Sequence, residues 1–327
     1  MNDVPGHIVL DPFAAAAWLD TTPDASDPLV VVATARDQQP AWQRLTEYYL
    51  RAAERADTAI TPDRYRMPLD LAHNHAVPDE LSDYRVALQW LNRERGNLVS
   101  VCLAAQRHGL DARCWQLAYT LRGYYYLAKP MCDWLITHRA ALAATRRIRD
   151  ARAEASTRTN LGLAYLELGR LDAAGRQYRI AIGLAAGAGD HHGAATAQAN
   201  HAWLRFSQGR FAQFLIEIAP SQAFYTQHGL RRNAAITLRG IGLAEGHLGR
   251  LDDAVTHLHE ALTEFVELDL RLDTAMTLNA LGDSYRQAGA MTEAAAAYRL
   301  ATAAAHTCGS AYEQARGKRG LMSVTTR

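Results

Sequence analysis

Glycine recurs at positions 169, 209, 249 and 289, a spacing of 40 residues, each time inside a short break between two helix-period segments. The breaks read Leu168-Gly169-Arg170, Gln208-Gly209-Arg210, Leu248-Gly249-Arg250 and Ala288-Gly289-Ala290. A repeat constrains the fold more than composition does, because each unit must bury its apolar face against a copy of itself. The surrounding positions repeat in register. Seven residues before each glycine stand Gly162, Ala202, Gly242 and Gly282, and one residue earlier Leu161, His201, Ile241 and Leu281. Five residues after it stand Ala174, Phe214, Ala254 and Ala294, and twelve after it Ala181, Ser221, Ala261 and Ala301. Glycine ends a helix because it enters the left-handed conformation at low cost. Small residues on both flanking segments let the two helix axes approach closely. The pattern predicts an all-α chain of stacked helix hairpins.

The second unit departs from its own register. Phe214 replaces the small alanine, and Pro220 falls inside the second helix, where it removes a backbone hydrogen bond. This unit is either an irregularity of the stack or its functional centre. A weaker unit precedes the four, with a first helix at Trp115–Leu127, a turn at Lys129-Pro130 and a second helix at Cys132–Ile148. Gly309–Leu321 reads as a capping helix. Before the repeats, helices are expected at Trp42–Ile60, Asp79–Glu94 and Asn97–His108, the first stopped by Thr61-Pro62 and the last by Gly109. The expected organisation is a leader over 1–40, a helical adaptor over 41–108 and the array over 109–327. The leader holds a candidate strand at Leu29–Ala33 and a short helix at Ala14–Leu19, and its apolar Phe13, Trp18 and Leu19 could fold back over the array.

The repeats resemble tetratricopeptide (TPR) units. The best match is Leu161-Gly162-x-x-Tyr165 with Gly169-Arg170-x-x-x-Ala174-x-x-x-Tyr178-x-x-Ala181. Leu281-Gly282-x-x-Tyr285 and Ala294-x-x-x-Tyr298-x-x-Ala301 match nearly as well. The period exceeds the ~34 residues of the standard unit. The resemblance implies a right-handed superhelical α-solenoid that presents the first helix of each hairpin on a concave groove. The stretches Trp42-Gln-Arg-Leu-Thr-Glu-Tyr-Tyr-Leu-Arg-Ala-Ala-Glu and Ala87-Leu-Gln-Trp-Leu-Asn-Arg-Glu-Arg-Gly-Asn-Leu-Val, followed by His108-Gly-Leu, are similar to the segment joining ATPase core and TPR sensor in actinobacterial NB-ARC/TPR regulators, including the SARP-type regulators of secondary metabolism. Those regulators carry a P-loop ATPase and a DNA-binding domain upstream. Here no G-x-x-x-x-G-K-[ST] occurs, so the expectation is a sensor-like array without either domain.

Charge and composition narrow the function classes. Lys+Arg is 35 against 34 Asp+Glu, a net charge of +1, which disfavours a dedicated nucleic-acid binder. Only Lys129 and Lys318 are lysines, a coding bias rather than a functional signal. No apolar run approaches the ~18 residues of a membrane span, and the first residues lack a signal-peptide pattern. Cys102, Cys114, Cys132 and Cys308 form no C-x-x-C pair and read as reduced thiols of a cytoplasmic protein, with Cys308 the candidate for exposure. His73-Asn-His75 is a weak metal pair without further ligands nearby, and neither a hydrolase nor a dinucleotide motif is present. No metal, cofactor or catalytic residue is expected.

Functional residues are sought instead on the groove face of the first helices, at i, i+4, i+7 and i+11. That register selects Tyr119 and Tyr126 in the early unit, then Asn160, Asn200, Trp203 and Phe206, then Arg239 and His247, and finally Asn279 and Asp283. An asparagine at the equivalent places 160 and 200 could bond a peptide backbone. Trp203 is a candidate anchor for a partner. One end of the groove reads as aromatic and the other as polar, which suits an amphipathic peptide. A small apolar molecule with a polar end is the alternative occupant, and an enzyme built on the scaffold is a further one.

Overall fold

The computed structural model describes residues 7–9, 11, 13–14, 17, 30–32, 39–69 and 75–325. Fifteen α-helices occupy almost all of this. The exceptions are a short antiparallel ladder of β1 (His7–Val9) with β2 (Val30–Val32) and one 3-10 helix at Asp79–Ser82. The ladder contains the centre of the strand expected at Leu29–Ala33. Trp18 and Leu19 lie outside the described residues. The helices are α1 (Gln39–Ile60), α2 (Tyr84–Arg93), α3 (Arg95–Arg107), α4 (Asp111–Thr120), α5 (Arg122–Ala128), α6 (Met131–Ile148), α7 (Ala151–Glu167), α8 (Leu171–Gly187), α9 (His191–Ser207), α10 (Phe211–Gln227), α11 (Arg231–His247), α12 (Leu251–Glu267), α13 (Arg271–Gln287), α14 (Met291–Cys308) and α15 (Ala311–Thr325). The chain is an all-α solenoid of helix hairpins.

The helices end on a strict beat. A residue with positive φ stands at every twentieth position: Gly109, Lys129, Arg149, Gly169, Gly189, Gly209, Gly229, Gly249, Asp269, Gly289 and Gly309. Seven successive helices, α7 to α13, are 17 residues long, and three-residue turns join them. Each turn folds back onto the helix before it. Gly209 N–H donates to the Phe206 carbonyl at 2.9 Å and Arg210 N–H to the Arg205 carbonyl at 2.8 Å, so carbonyls left open by the helix end are satisfied. The turns within a hairpin and those between hairpins are therefore the same device. The 40-residue sequence period is twice a 20-residue structural one.

The chain divides into two compact units, Met1–Thr61 with Tyr65–Ala164, and Pro62–Arg64 with Tyr165–Arg327; the division falls inside α7. In the first unit, α1 is the central element. Leu45, Tyr48, Tyr49, Ala52 and Ala56 are buried, as their helical spacing predicts. Buried Glu47 on this helix accepts from Arg113 of α4, and Tyr49 donates to buried Glu94 at 3.0 Å. The leader docks here too: Tyr48 donates to Asp11 at 3.1 Å, and Arg44 donates to the Ala17 carbonyl at 3.1 Å. The helix expected over Trp115–Leu127 is divided at Leu121 into α4 and α5. Two residues on, Gly123 runs so close to α1 that a Cβ there would lie 2.6 Å from Asp57 Oδ1. Cys308 is buried and Cys132 is the exposed thiol, reversing the expectation for the C-terminal cysteine.

In the second unit the repeat positions form the core. Ala174, Tyr178, Ala181 and Ala185 are buried on one face of α8. Ala254, Leu258, Ala261 and Phe265 are their counterparts on α12, and Ala294, Tyr298, Ala301 and Ala305 on α14. On α10 the same face carries Phe214, Ile218, Ser221 and Tyr225. Ser221 is tolerated because its hydroxyl donates to the Ala195 carbonyl at 3.1 Å. Pro220 does not break α10, which keeps the length of its neighbours. It sits on the exposed face, beside exposed Ile216, whose carbonyl is the one that loses an N–H donor at position 220.

Candidate functional site: an aromatic cluster on α9, α10 and α11

The bulky Phe214 and Trp203 need space that the repeat does not normally leave, and the next unit supplies it. Gly240 stands where Asn160, Asn200 and Ala280 stand in the other units. A Cβ at Gly240 would lie 2.9 Å from Phe214 Cζ and 2.9 Å from Trp203 Cζ2. The departure at Phe214 is thus matched by a deletion on α11. Around it, Trp203 lies 5.0 Å from Phe206 and 5.1 Å from Phe214, ring centroid to centroid. Phe206 packs edge-on to Phe211 at 5.1 Å. Phe211 in turn stacks on His247 at 4.2 Å with the planes 2° apart. Phe214 is fully buried, Trp203, Phe206 and Phe211 are half-buried, and His247 is exposed. The cluster is a core at its base and a surface at its rim. Asn200 is half-buried on the same helix, and its Nδ2 donates to the Thr196 carbonyl at 2.8 Å.

Of the residues selected by register, Asn200, Trp203, Phe206 and His247 come together here. Arg239 and Asn279 belong to the interior of the second unit, and Asp283 is half-buried at its edge. Arg239 is 4% exposed, donates from Nη1 to Asp273 at 2.7 Å and lies 5.2 Å from the Phe265 ring centroid. Asn279 is fully buried and donates to the carbonyl and carboxylate of Glu313, at 3.1 and 2.8 Å. Asp283 accepts from Tyr298 and Arg316, each at 2.7 Å. These two hold the terminal helix α15, so the polar end of the expected groove is a set of interhelix bonds. The helical period names the face but cannot tell a face covered by the next helix from an open one.

Three candidates lie in the first unit. Tyr119 donates to the Tyr65 carbonyl at 2.8 Å, and the Lys129 ammonium stands 3.8 Å from the Tyr126 ring centroid. Asn160 is 4% exposed and its Nδ2 has no hydrogen-bond partner among the described residues. It differs in this from Asn200, its counterpart in sequence.

Phe211 escaped the sequence reading. It is the first residue of α10, after the three-residue turn and off the first helix, where only side-chain bulk against the leucines at 171 and 251 marked it. A second missed set surrounds Glu217, which accepts from Arg205 at 2.9 Å and has His201 Nδ1 at 3.9 Å. Burial lowers the His201 pKa, and the opposing pulls of Glu217 and the nearby Arg205 and Arg179 follow.

Comparison with known proteins agrees with this architecture. Residues 233–306 match the tetratricopeptide repeat family profile. Among solved structures, BtubC (BKLC) from P. vanneervenii is similar at 18% identity and a TM-score of 0.50, covering 68% of this chain and 92% of its own. The apo form of RapI is similar at 11% identity and a TM-score of 0.53, covering 73% of this chain and 81% of its own. At these identities the likeness concerns the fold alone. No curated protein matches. Among the described residues no helix is long and apolar enough to cross a membrane. The chain is an all-α solenoid of helix hairpins, and its residues 233–306 match the tetratricopeptide repeat family.

Proposed function

We propose that this chain is a non-catalytic interaction module that takes up a polypeptide segment on α9–α11, with Trp203, Phe206 and His247 as the apolar contact and Asn200 as the group that bonds the peptide backbone. The observation that carries the reading is the half-buried aromatic rim. Three aromatic rings and a stacked imidazole lie on the same helices as an asparagine whose amide Nδ2 makes one hydrogen bond. Aromatic anchors of this kind give large contact area for little entropy. The similarity to NB-ARC/TPR regulators supports a place in bacterial regulation, with the bound polypeptide as signal.

The test is affinity capture on the purified full chain from its own cell extract, with native mass spectrometry of what is retained. A co-purifying polypeptide whose affinity falls about 30-fold or more in Trp203→Ala supports the reading, since anchor truncation costs ~2 kcal/mol or more. Asn200→Ala should weaken the same complex. Asn279→Ala, an interior change, should leave it intact. Retention of a small molecule in place of a polypeptide would support a receptor instead. A polypeptide bound unchanged by both Trp203→Ala and Asn200→Ala would refute the site.

A further inference from the structure

Between α8 and α9 lies an open crevice of about 430 Å3 lined by Asp172, Arg176, Arg179, His201, Arg205 and Gln208 over an apolar floor. Two of these residues break the repeat. Position 201 holds leucine or isoleucine in the other units, at Leu161, Ile241 and Leu281, and position 205 holds tyrosine at Tyr165 and Tyr285 and glutamate at Glu245. Here a histidine replaces the aliphatic residue, and an arginine stands where the other units carry tyrosine or glutamate. On the facing helix, the counterparts of Arg176 are Ile216, Thr256 and Ala296. Three departures toward basic side chains thus meet in one crevice. No pairing accounts for the arginines of α8: Arg176 and Arg179 are exposed, and neither makes an ion pair or hydrogen bond among the described residues. Arg205 shares Glu217 with His201, and Asp172 is the one acid lining the crevice.

We infer that this crevice binds an acidic segment of a polypeptide, through carboxylate side chains held by Arg176 and Arg179 with Arg205 at the inner end. The site is separate from the aromatic cluster and does not depend on it. Arg176 and Arg179 lie three residues apart on α8, about 4.5 Å along the helix axis, so they offer two guanidinium forks on one face. Guanidinium and carboxylate match in geometry and pair by two parallel hydrogen bonds. A phosphate fits less well. Asp172, part of the same lining, repels a dianion more than a single carboxylate.

The probe is a fluorescein-labelled hexaglutamate peptide, read by anisotropy against the full chain at low and physiological salt, with hexaglutamine as the uncharged control. Binding to hexaglutamate alone is expected, weakening as salt rises. The double reversal Arg176→Glu/Arg179→Glu should lose at least about tenfold in affinity, and the same charge change at Arg299→Glu/Arg319→Glu should cost less than about twofold. Trp203→Ala should leave this binding unchanged, which separates it from the reading of the aromatic cluster. Circular dichroism of each variant verifies the helix content. Equal losses in the two reversal pairs would mean diffuse attraction to an arginine-rich surface and would overturn the site. Displacement of the peptide by equimolar inorganic phosphate would overturn the assignment of a carboxylate ligand.

Discussion

Two glycines inside helices make opposite predictions from the same substitution. Gly183, in α8, is exposed, and a Cβ there would meet nothing within 4 Å. Gly183→Ala should therefore realise the full helix-propensity difference, a gain of ~0.8–1 kcal/mol. Gly282, in α13, faces the fully buried Tyr298 ring, and its added Cβ would lie 2.5, 2.6 and 2.9 Å from three ring carbons. Ordinary carbon contacts are ~3.5–4.0 Å, so the overlap approaches 1 Å. The ring cannot retreat, because Gly320 of α15 presses its other side, at 2.3 Å for a Cβ built there. Overpacking costs about 1–3 kcal/mol, and displacing Tyr298 strains its 2.7 Å bond to Asp283, worth ~1 kcal/mol. Against the same propensity gain, Gly282→Ala should lose ~1–3 kcal/mol net. In a repeat array stability is local, so the assay is hydrogen–deuterium exchange of α13, α14 and α15, supported by urea unfolding. Faster exchange in α14 and α15 for Gly282→Ala, with slower exchange in α8 for Gly183→Ala, is expected. If Gly282→Ala protected those helices as well as wild type, the close packing around Tyr298 would be refuted.

The buried Arg239–Asp273 pair should behave asymmetrically: Asp273→Ala leaves the arginine uncompensated and should cost ~3–5 kcal/mol by urea unfolding, whereas the joint change Arg239→Met/Asp273→Leu should recover most of it. His201 has a folded pKa below its unfolded value of ~6.5, so the unfolded chain binds more protons as pH falls through that value and folding is weakened on the acid side. His201→Leu, which restores the residue of the other repeats, should flatten the fall in melting temperature between about pH 6.5 and pH 5, and an unchanged slope would contradict this. Thiol labelling of the native chain should show one fast cysteine, Cys132, and three that react on unfolding. Cys102, Cys114 and Cys308 are fully buried; a hydrogen bond with Cys114 and burial raise the Cys102 thiol, and burial pushes Cys308 up to about 11.

Much of the fold was legible because glycine and alanine mark geometry directly. The turn glycines at 169, 209, 249 and 289 stand with positive φ, and the alanines at 174, 254 and 294 are fully buried. The intervening turns were harder to see, because Lys129, Arg149 and Asp269 hold positive φ without being glycine. The site was only partly legible. Trp203 and Phe206 could be placed by period, yet their surroundings depend on Gly240, forty residues from Asn200, whose missing side chain means nothing until two helices are packed. Asn279 and Asp283 looked equally functional in sequence. Their partners, Glu313 and Arg316, come from a terminal helix that does not repeat, so no register relates them.

The twenty-residue beat makes the chain a set of interchangeable lengths. Removing 211–250 would join Arg210 to Leu251 and recreate the turn already present at Arg250-Leu251. The backbone would keep its phase, so the splice would succeed or fail on side chains alone. Ala202 would then face Leu258 and the Ala254 carbonyl in place of Gly242, whose added Cβ would lie 2.9 and 3.0 Å from them. Such an array can gain or lose whole hairpins without re-engineering its joints, and the residues that set its reach are then few: one small side chain per seam.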